Sequence, residues 1–397
     1  MQTGGVGVLA SRAVPIEADG RMPDKRTPLE VAFVDDRAEV LPALAQVADE
    51  VVGIDVERAD ADRYYRRAAL VQVGVADHCI LLDGTTLATL PELDAHLRAE
   101  RLAVLHAVAN DLEPLAAKGV RPPRLADTAV AAAMLGLPTG LGPLLADVLD
   151  VELDGDKSAY QRADWEARPL SPGMAEYAAG DVVHLPALWR ALAARLAEAG
   201  RTSWYEQELT WTLERANEDT RHWTRVKGAG ALDPAARAVL RAVWEERERL
   251  AKAHDLAPNR LLHDEVLRDL ATDPPRTEAQ LVRRSQRRRA LVRLHAGALL
   301  AAVERGRAAD AEVRDRGGRR WTEQERSAFD AMRHARSAVA EELGMDAGVL
   351  CPSQPLWAAV AGAPADGDEL CRLAGLRGWQ RELLADPLWA AYAEATA

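Results

Sequence analysis

The sequence predicts an α/β domain with a mixed sheet, followed by two small all-α domains. Three observations predict it. Strand-type apolar runs, Val51–Glu57, Leu70–Val75 and Ile80–Leu82, lie close together and then give way to alternating helix and strand patterns up to about Ala199. After about Trp204 the strand signals stop, and apolar residues recur at helical spacing, as in Val239, Leu240, Val243 and Trp244. Two stretches, Gly228-Ala229-Gly230 and the charged Gly306–Arg320, read as linkers. A chain of 397 residues exceeds the usual single core. The expected division is a flexible tail over 1–28, an α/β domain over 29–205, a helical domain over 230–306 and a second over 320–397.

In order, Val31–Val34 is a short strand and Ala38–Glu50 a helix with Pro42 near its start. Val51–Glu57, Leu70–Val75 and Ile80–Leu82 are strands, the last two joined through Asp77 and His78. Leu87–Arg98 is a helix, Leu102–His106 a strand and Asn110–Lys118 a helix. Asp127 is placed as the N-cap of Thr128–Leu135, because its side chain can accept from the first free backbone N–H groups. Leu141–Leu149, Pro172–His184 and Pro186–Ala199 complete the domain as helices. Beyond the first linker the helices are Pro234–His254, Arg260–Leu270, Thr277–Arg284 and Arg287–Arg305, with turns at Pro258, Pro274 and Pro275. Thr322–Leu343 opens the last unit.

Composition excludes several classes. Cys79, Cys351 and Cys371 are scattered and odd in number, which argues against a disulfide framework or a thiolate zinc knuckle and for a reducing cytoplasm. No run reaches the roughly 18 apolar residues of a membrane helix, and Met1–Thr27 has no apolar core of the secretory kind. The net charge of −12 opposes a generally basic nucleic-acid binder. Local charge differs: Arg283, Arg284, Arg287, Arg288, Arg289 and Arg293 form a basic stretch that could grip phosphate or simply face solvent.

Three carboxylate patterns carry chemistry. In Gly53-Ile54-Asp55-Val56-Glu57, strand alternation sends Asp55 and Glu57 to one face, about 7 Å apart, and Val52, Ile54 and Val56 to the other. Paired carboxylates on a buried strand are costly unless neutralised, and their oxygens suit Mg²⁺ or Mn²⁺. The run Leu102–His106 then leads to Asn110 and Asp111 at a helix start, where an acidic residue is favoured in any case. In Tyr177-Ala178-Ala179-Gly180-Asp181, helical spacing places Tyr177 and Asp181 on one face, so a phenol could hold a water beside a metal-binding carboxylate.

Singly, each pattern has an ordinary structural explanation. Together, in this order in one α/β domain, they resemble the DEDD superfamily of 3′→5′ exonucleases in its tyrosine subclass, and more narrowly ribonuclease D. Tyr64-Tyr65, Leu70-Val71-Gln72, Asp127-Thr128, Lys157, Gln161, Asp164-Trp165 and Arg168-Pro169-Leu170 also match that family. The resemblance covers roughly Val31 to Val303 and includes one HRDC domain, marked by Arg260-Leu261-Leu262, Pro275-Arg276-Thr277 and Gly297-Ala298-Leu299-Leu300. It departs in two places. Val56 stands where the family usually has Thr, and Arg283-Arg284-Ser285-Gln286-Arg287 replaces a Gly-x-Gly turn.

The resemblance implies a ribonuclease H-like mixed-sheet exonuclease domain followed by two HRDC-like domains. It implies two divalent ions, Mg²⁺ or Mn²⁺, about 3.5–4 Å apart. Asp55, Glu57 and Asp181 would bind the first, Asp55 would bridge to the second, Asp111 would reach it directly or through water, and Tyr177 would orient the attacking water. Four carboxylates this close cannot all stay ionised without cations, so the cation-free site should be loose or partly protonated. The expected substrates are RNA 3′ ends, tRNA precursors above all, with no membrane and no protein partner implied. Candidate nucleic-acid contacts are Arg58, Tyr64, Tyr65, Lys157, Arg168 and Arg287. His106 and Gln72 are candidates too, weighed against a strand-end structural histidine and an amide that satisfies backbone groups. Trp357, Trp379 and Trp389 read as core anchors. The rival functions are a DNA 3′→5′ exonuclease, which has the same chemistry, and a non-catalytic nucleic-acid-binding protein, which the complete carboxylate set opposes.

Overall fold

A computed structural model describes residues 29–59, 62–153, 160, 163–216, 218, 221–285, 289–310 and 321–397. The expected tail, Lys157, Gln161, Arg287, Arg288 and most of the second linker lie outside the described residues. The chain forms two compact units. The first comprises the described residues of 1–57, 68–217 and 321–397; the second comprises those of 58–67 and 218–320.

The first unit is built on a six-stranded sheet. Its strands are β1 (Glu30–Val34), β2 (Val51–Arg58), β3 (Ala68–Gly74), β4 (His78–Asp83), β5 (Leu102–Leu105) and β6 (Leu125–Asp127), in the order β1-β4-β3-β2-β5-β6. β1 runs parallel to β4, β3 antiparallel to β4, and β2, β5 and β6 parallel to one another, so the sheet is mixed as expected. The helices are α1 (Arg37–Leu44), α2 (Pro91–Arg98), α3 (Leu112–Ala117), α4 (Thr128–Leu135), α5 (Leu141–Leu149), α6 (Pro172–Val183), α7 (Leu185–Glu198) and α8 (Thr202–Arg215). β3 is buried along its whole length, which fits a central strand covered on both faces.

Several boundaries differ from the expected ones for local reasons. The helix placed over Ala38–Glu50 ends at Leu44 and tightens into a 3₁₀ turn over Ala45–Val47. The helix placed from Leu87 starts only at Pro91, because the residue before a proline is pushed out of the helical region, and Leu90 has φ −130° and ψ 59°. β6 and α8 were not expected. β6 has only three residues, and α8 carries Trp204, Tyr205, Trp211 and polar residues without a clean apolar stripe.

The last part of the chain also belongs to the first unit. It contains α15 (Glu323–Leu343), α16 (Ala347–Leu350), α17 (Ser353–Gly362), α18 (Gly367–Leu373) and α19 (Gly378–Thr396), the numbers α9 to α14 being those of the second unit. Thr322 and Glu325 form a reciprocal capping box at the start of α15. Trp379 is fully buried, stacks on Trp204 with ring centres 5.4 Å apart, and donates its indole N–H to Glu208 at 3.3 Å. Arg377 faces the same carboxylate at 2.7 Å. Arg201 donates to the carbonyls of Met134 and Leu343 at 2.8 and 2.6 Å. Trp379 is thus a core anchor, while Trp357 is half-buried and stacks on Phe329.

The second unit is helical: α9 (Pro234–Ala253), α10 (Pro258–Leu261), α11 (Asp264–Thr272), α12 (Glu278–Arg284), α13 (Arg289–Leu294) and α14 (Ala296–Ala308). The helix expected over Arg260–Leu270 is two helices, broken at Leu262, which is extended at φ −142°. The one expected over Arg287–Arg305 is also two, meeting at His295. Leu240, Val243, Leu250, Leu267, Leu270, Val292 and Leu299 form its core. Among the described residues no helix is long and apolar enough to cross a membrane. Cys79, Cys351 and Cys371 are buried free thiols.

Candidate active site

β2 sorts its residues by strand alternation. Val52, Ile54 and Val56 are buried, and Asp55 and Glu57 lie on the opposite face with Gly53. That face is covered by α6, and glycine makes the approach possible. A Cβ on Gly53 would sit 2.1 Å from the carbonyl oxygen of Val182, and one on Gly74 of β3 would sit 2.6 Å from the Val182 side chain. α6 therefore rests on nearly bare backbone, which carries Tyr177 and Asp181 down to the strand.

The result is a cluster of three carboxylates. Oxygens of Asp55, Glu57 and Asp181 all lie within 4.8 Å of one another. It is the group of three or more potential metal-ligating side chains found at this spacing among the described residues. Burial, and then the negative charge of Asp181, raise the Asp55 carboxyl to about 7, although the Val56 backbone N–H favours its ionised form. Burial first and the neighbouring acid second thus favour the protonated form of Asp55. This fits a divalent cation, which would neutralise the cluster through the oxygen ligands that Mg²⁺ and Mn²⁺ prefer.

Tyr177 stands beside the cluster. Its phenol is close to the Asp181 carboxylate, which after burial is the strongest influence on it. Burial and the charges of Asp181, Glu57 and Asp55 raise its pKa above the ordinary tyrosine value, so the hydroxyl keeps its proton. Its ring lies 5.5 Å from Tyr160 and 6.1 Å from Trp165, centre to centre, and Trp165 donates its indole N–H to the Tyr160 carbonyl at 3.2 Å. Tyr160 was not singled out in the sequence. Its only signal there is its place between Lys157 and Gln161 in the family-like run.

Asp111 stands outside the trio. It is 4% exposed, immediately precedes α3, and makes no side-chain capping bond there. The segment leading to it is fixed by Asp127. That carboxylate accepts from the backbone N–H groups of Ala107 and Val108 at 3.0 and 2.9 Å, and from Ala129 at 2.8 Å at the start of α4. Ala107 is held in the left-handed region at φ 61°. Asp127 is thus the expected N-cap and an anchor for a second segment, which sequence alone did not reveal.

Three candidate nucleic-acid contacts are buried or bonded within the fold, and among the described residues Gln72 does not satisfy backbone groups as the sequence suggested. Gln72 is 0% exposed, so its amide cannot touch substrate, and it has no hydrogen-bond partner among the described residues. Alternation puts it on the Gly74 face of β3. Arg168 bonds Asp83 at 2.5 Å, the Ala69 carbonyl at 3.1 Å and the Trp165 carbonyl at 2.8 Å, so its guanidinium serves the fold rather than a phosphate. His106 is half-buried, with Nδ1 2.9 Å from Thr128 Oγ1, which itself donates to the Leu105 carbonyl; Nδ1 is then the donor. Arg58, Tyr64 and Tyr65 belong to the second unit, where Tyr65 is 43% exposed.

Comparison with known proteins follows the same lines. Residues 31–197 match a family model described as 3′-5′ exonuclease, and residues 236–303 match the HRDC domain. Ribonuclease D of Nitrobacter hamburgensis is 30% identical over 284 residues, which cover 69% of this chain and 73% of that protein. Ribonuclease D of Pseudomonas paraeruginosa is 35% identical over 236 residues, 58% of this chain, and the chain spans 62% of that protein's length. The crystal structure of Escherichia coli RNase D, described as an exoribonuclease involved in structured RNA processing, superposes with a TM-score of 0.75 at 24% identity. That match covers 92% of this chain and 99% of the other, and it shows the shared fold.

Proposed function

The chain belongs to the ribonuclease D family, and from that footing we propose that it is a metal-dependent 3′→5′ exoribonuclease that releases nucleoside 5′-monophosphates from RNA 3′ ends. The observation that carries this reading is the carboxylate trio of Asp55, Glu57 and Asp181 with the Tyr177 phenol beside it, under the charge of Asp181 and Glu57. Asp111 enters by family membership; the trio forms without it.

Asp55, Glu57, Asp181 and Asp111 would hold divalent cations, Mg²⁺ or Mn²⁺. When bound, these supply charge to activate water and to stabilise the leaving oxygen. The chain's own residues do the rest. Glu57 and Asp181 are fixed on opposing elements, a strand and a helix, so their oxygens face one another without rearrangement. Tyr177 keeps its proton and can hold the attacking water by hydrogen bond, in line with the terminal phosphodiester. Water adds to phosphorus, the bond from phosphorus to the 3′ oxygen breaks, and that oxygen takes a proton to leave a new 3′ hydroxyl. Precursors of tRNA are the proposed substrates and the cytoplasm the proposed location, the latter supported by the three unpaired thiols.

The test is a degradation ladder. A 3′-extended tRNA and a matched single-stranded DNA, both 5′-labelled, are incubated with Mg²⁺ or chelator, using the wild-type chain and Asp55→Ala. Metal-dependent shortening of the RNA that Asp55→Ala abolishes is the expected result. Faster loss of the DNA would make the protein a DNA exonuclease. No shortening of either, with binding kept, would overturn the enzymatic reading.

A further inference from the structure

The chain leaves the first unit directly after Glu57. Arg58–Arg67 belongs by its contacts to the helical unit, and the chain returns to the first unit at Ala68. Ala59 N donates to the Arg67 carbonyl at 3.1 Å and closes the base of this segment. The rest is tied to helical elements far along the sequence. Ala257 N donates to the Asp62 carbonyl at 2.9 Å. Tyr65 N donates to one carboxylate oxygen of Asp255 at 3.1 Å, and the Arg67 guanidinium donates to the other. Arg221 lies over the Tyr64 ring, 4.1 Å from its centre, and Tyr64 meets Tyr65 edge-on at 5.3 Å.

Asp255 is the hub of these ties. It follows the end of α9 with φ 46°, a left-handed conformation that Asp and Asn accept more readily than other side chains. Both of its carboxylate oxygens are committed to one segment, one of them in a charge-assisted pair, the stronger kind of hydrogen bond. Meanwhile Tyr65, tied by its backbone N–H, is 43% exposed as a residue. An exposed aromatic ring on a backbone whose ordering is already secured binds a base at little entropic cost, and stacking is how single strands are held without reading their sequence.

We propose that Asp255 is a positioning residue for RNA binding: by holding Tyr65 N–H and Arg67 together, it presents the Tyr65 ring for stacking on a base of a single-stranded RNA. The proposal rests on the exoribonuclease reading for its ligand and adds what orders the contact. Asp255→Asn suits the test, because Asn accepts the same backbone conformation and can still accept from Tyr65 N, yet it cannot pair with the Arg67 charge. Arg67→Ala breaks the same pair from the other side.

Full-length wild type, Asp255→Asn, Arg67→Ala, Tyr65→Ala and the double variant Asp255→Asn/Tyr65→Ala would be titrated against fluorescein-labelled oligoadenylate RNA in chelator, where nothing is cleaved. Hydrogen exchange over residues 58–67 would be followed in parallel. Expected are faster exchange in that segment for Asp255→Asn and Arg67→Ala, and affinity about 5- to 20-fold weaker in each single variant, the scale of one base stack. The double variant should bind no more weakly than Tyr65→Ala. With Mg²⁺, KM should rise by the same factor while kcat stays within about twofold. Unchanged exchange, faster exchange with unchanged affinity, or a fall in kcat at constant KM would each overturn the proposal. If Asp255→Asn fails to fold, Arg67→Ala alone decides by the same criteria. If the wild type binds RNA but cleaves none, the exoribonuclease reading fails while the affinity comparison still decides this one.

Discussion

The phenol of Tyr177 lies beside the carboxylate of Asp181, one helical turn further along α6, and that carboxylate is the charge that acts on it most strongly. Tyr177→Phe removes that hydroxyl and leaves the ring against Tyr160 and Trp165. The expected outcome is a kcat lower by roughly 10²-fold or more, the usual contribution of a positioned proton-transfer group. Stability should fall by no more than about 1 kcal/mol, the net worth of one hydrogen bond. Mn²⁺ binding measured by calorimetry should be unchanged, since the carboxylates remain. Wild-type kcat in the variant would remove Tyr177 from the mechanism.

Asp55 makes the metal-free protein sensitive to pH. Its carboxyl is raised to about 7 by burial and by Asp181, so the folded state holds a proton that the unfolded chain gives up near about pH 4. The stability this group contributes is fully present below about pH 4 and is lost as pH rises through about 7. Divalent-ion affinity runs the opposite way, because the proton must leave first; it should climb with pH and level off above about 7. In chelator, Asp55→Asn should melt above the wild type at about pH 8.5, with the difference shrinking toward about pH 5. Differential scanning fluorimetry checks this, and a difference that grows on acidification would contradict it.

Gly53→Ala should displace α6. The added Cβ would meet a backbone carbonyl at 2.1 Å, and no rotamer change can relieve that. A cost of about 1–3 kcal/mol is expected, typical of overpacking. Because α6 carries Tyr177 and Asp181, divalent-ion affinity should fall together with the melting temperature. A fully stable variant with native metal affinity would show that α6 does not rest on the strand as described.

Arg168→Ala tests the internal role of that guanidinium. Burial alone would raise the Asp83 carboxyl, but the hydrogen bonds from Arg168 and Thr85 outweigh it and hold the group below its ordinary value. Its stabilising contribution is therefore present at neutral pH and lost as pH falls through that lowered value. Removing Arg168 leaves a carboxylate whose side chain is 2% exposed without its cation, at a cost of about 3 kcal/mol or more. Chemical denaturation measures this. The KM of the folded variant for RNA should stay near wild type, whereas a phosphate contact would raise it.

What the sequence showed and what it hid divide by range. Alternation within β2 and the turn spacing of Tyr177 and Asp181 are local periodicities, so the carboxylate faces could be read directly from residue order. Asp127 as the cap of α4 is equally local, three residues deep. Roles that depend on a partner far along the chain were hidden. Nothing near Arg168 marks Asp83 as its partner, and nothing near Tyr65 points to Asp255, 190 residues away. Gln72 reads as an amide that either touches substrate or satisfies backbone groups, and its burial without a partner among the described residues depends on the elements packed around β3. The helix α8 escaped because Trp204 and Trp211 meet a segment more than a hundred residues later while Tyr205 meets Trp189 and Asp127 earlier in the chain, which leaves no simple stripe in its own sequence.

That late partner has a consequence for how the protein is made. The stack of Trp204 on the buried Trp379 joins a segment synthesised early to one synthesised last, with most of the helical unit translated in between. A nascent chain grows at about 5–20 residues per second, so Trp204 emerges from the ribosome roughly ten seconds or more before the surface that covers it. During that interval the sheet can form while the Trp204 side of α8 stays uncovered, a window in which a holding chaperone or premature self-association would compete with completion of the fold.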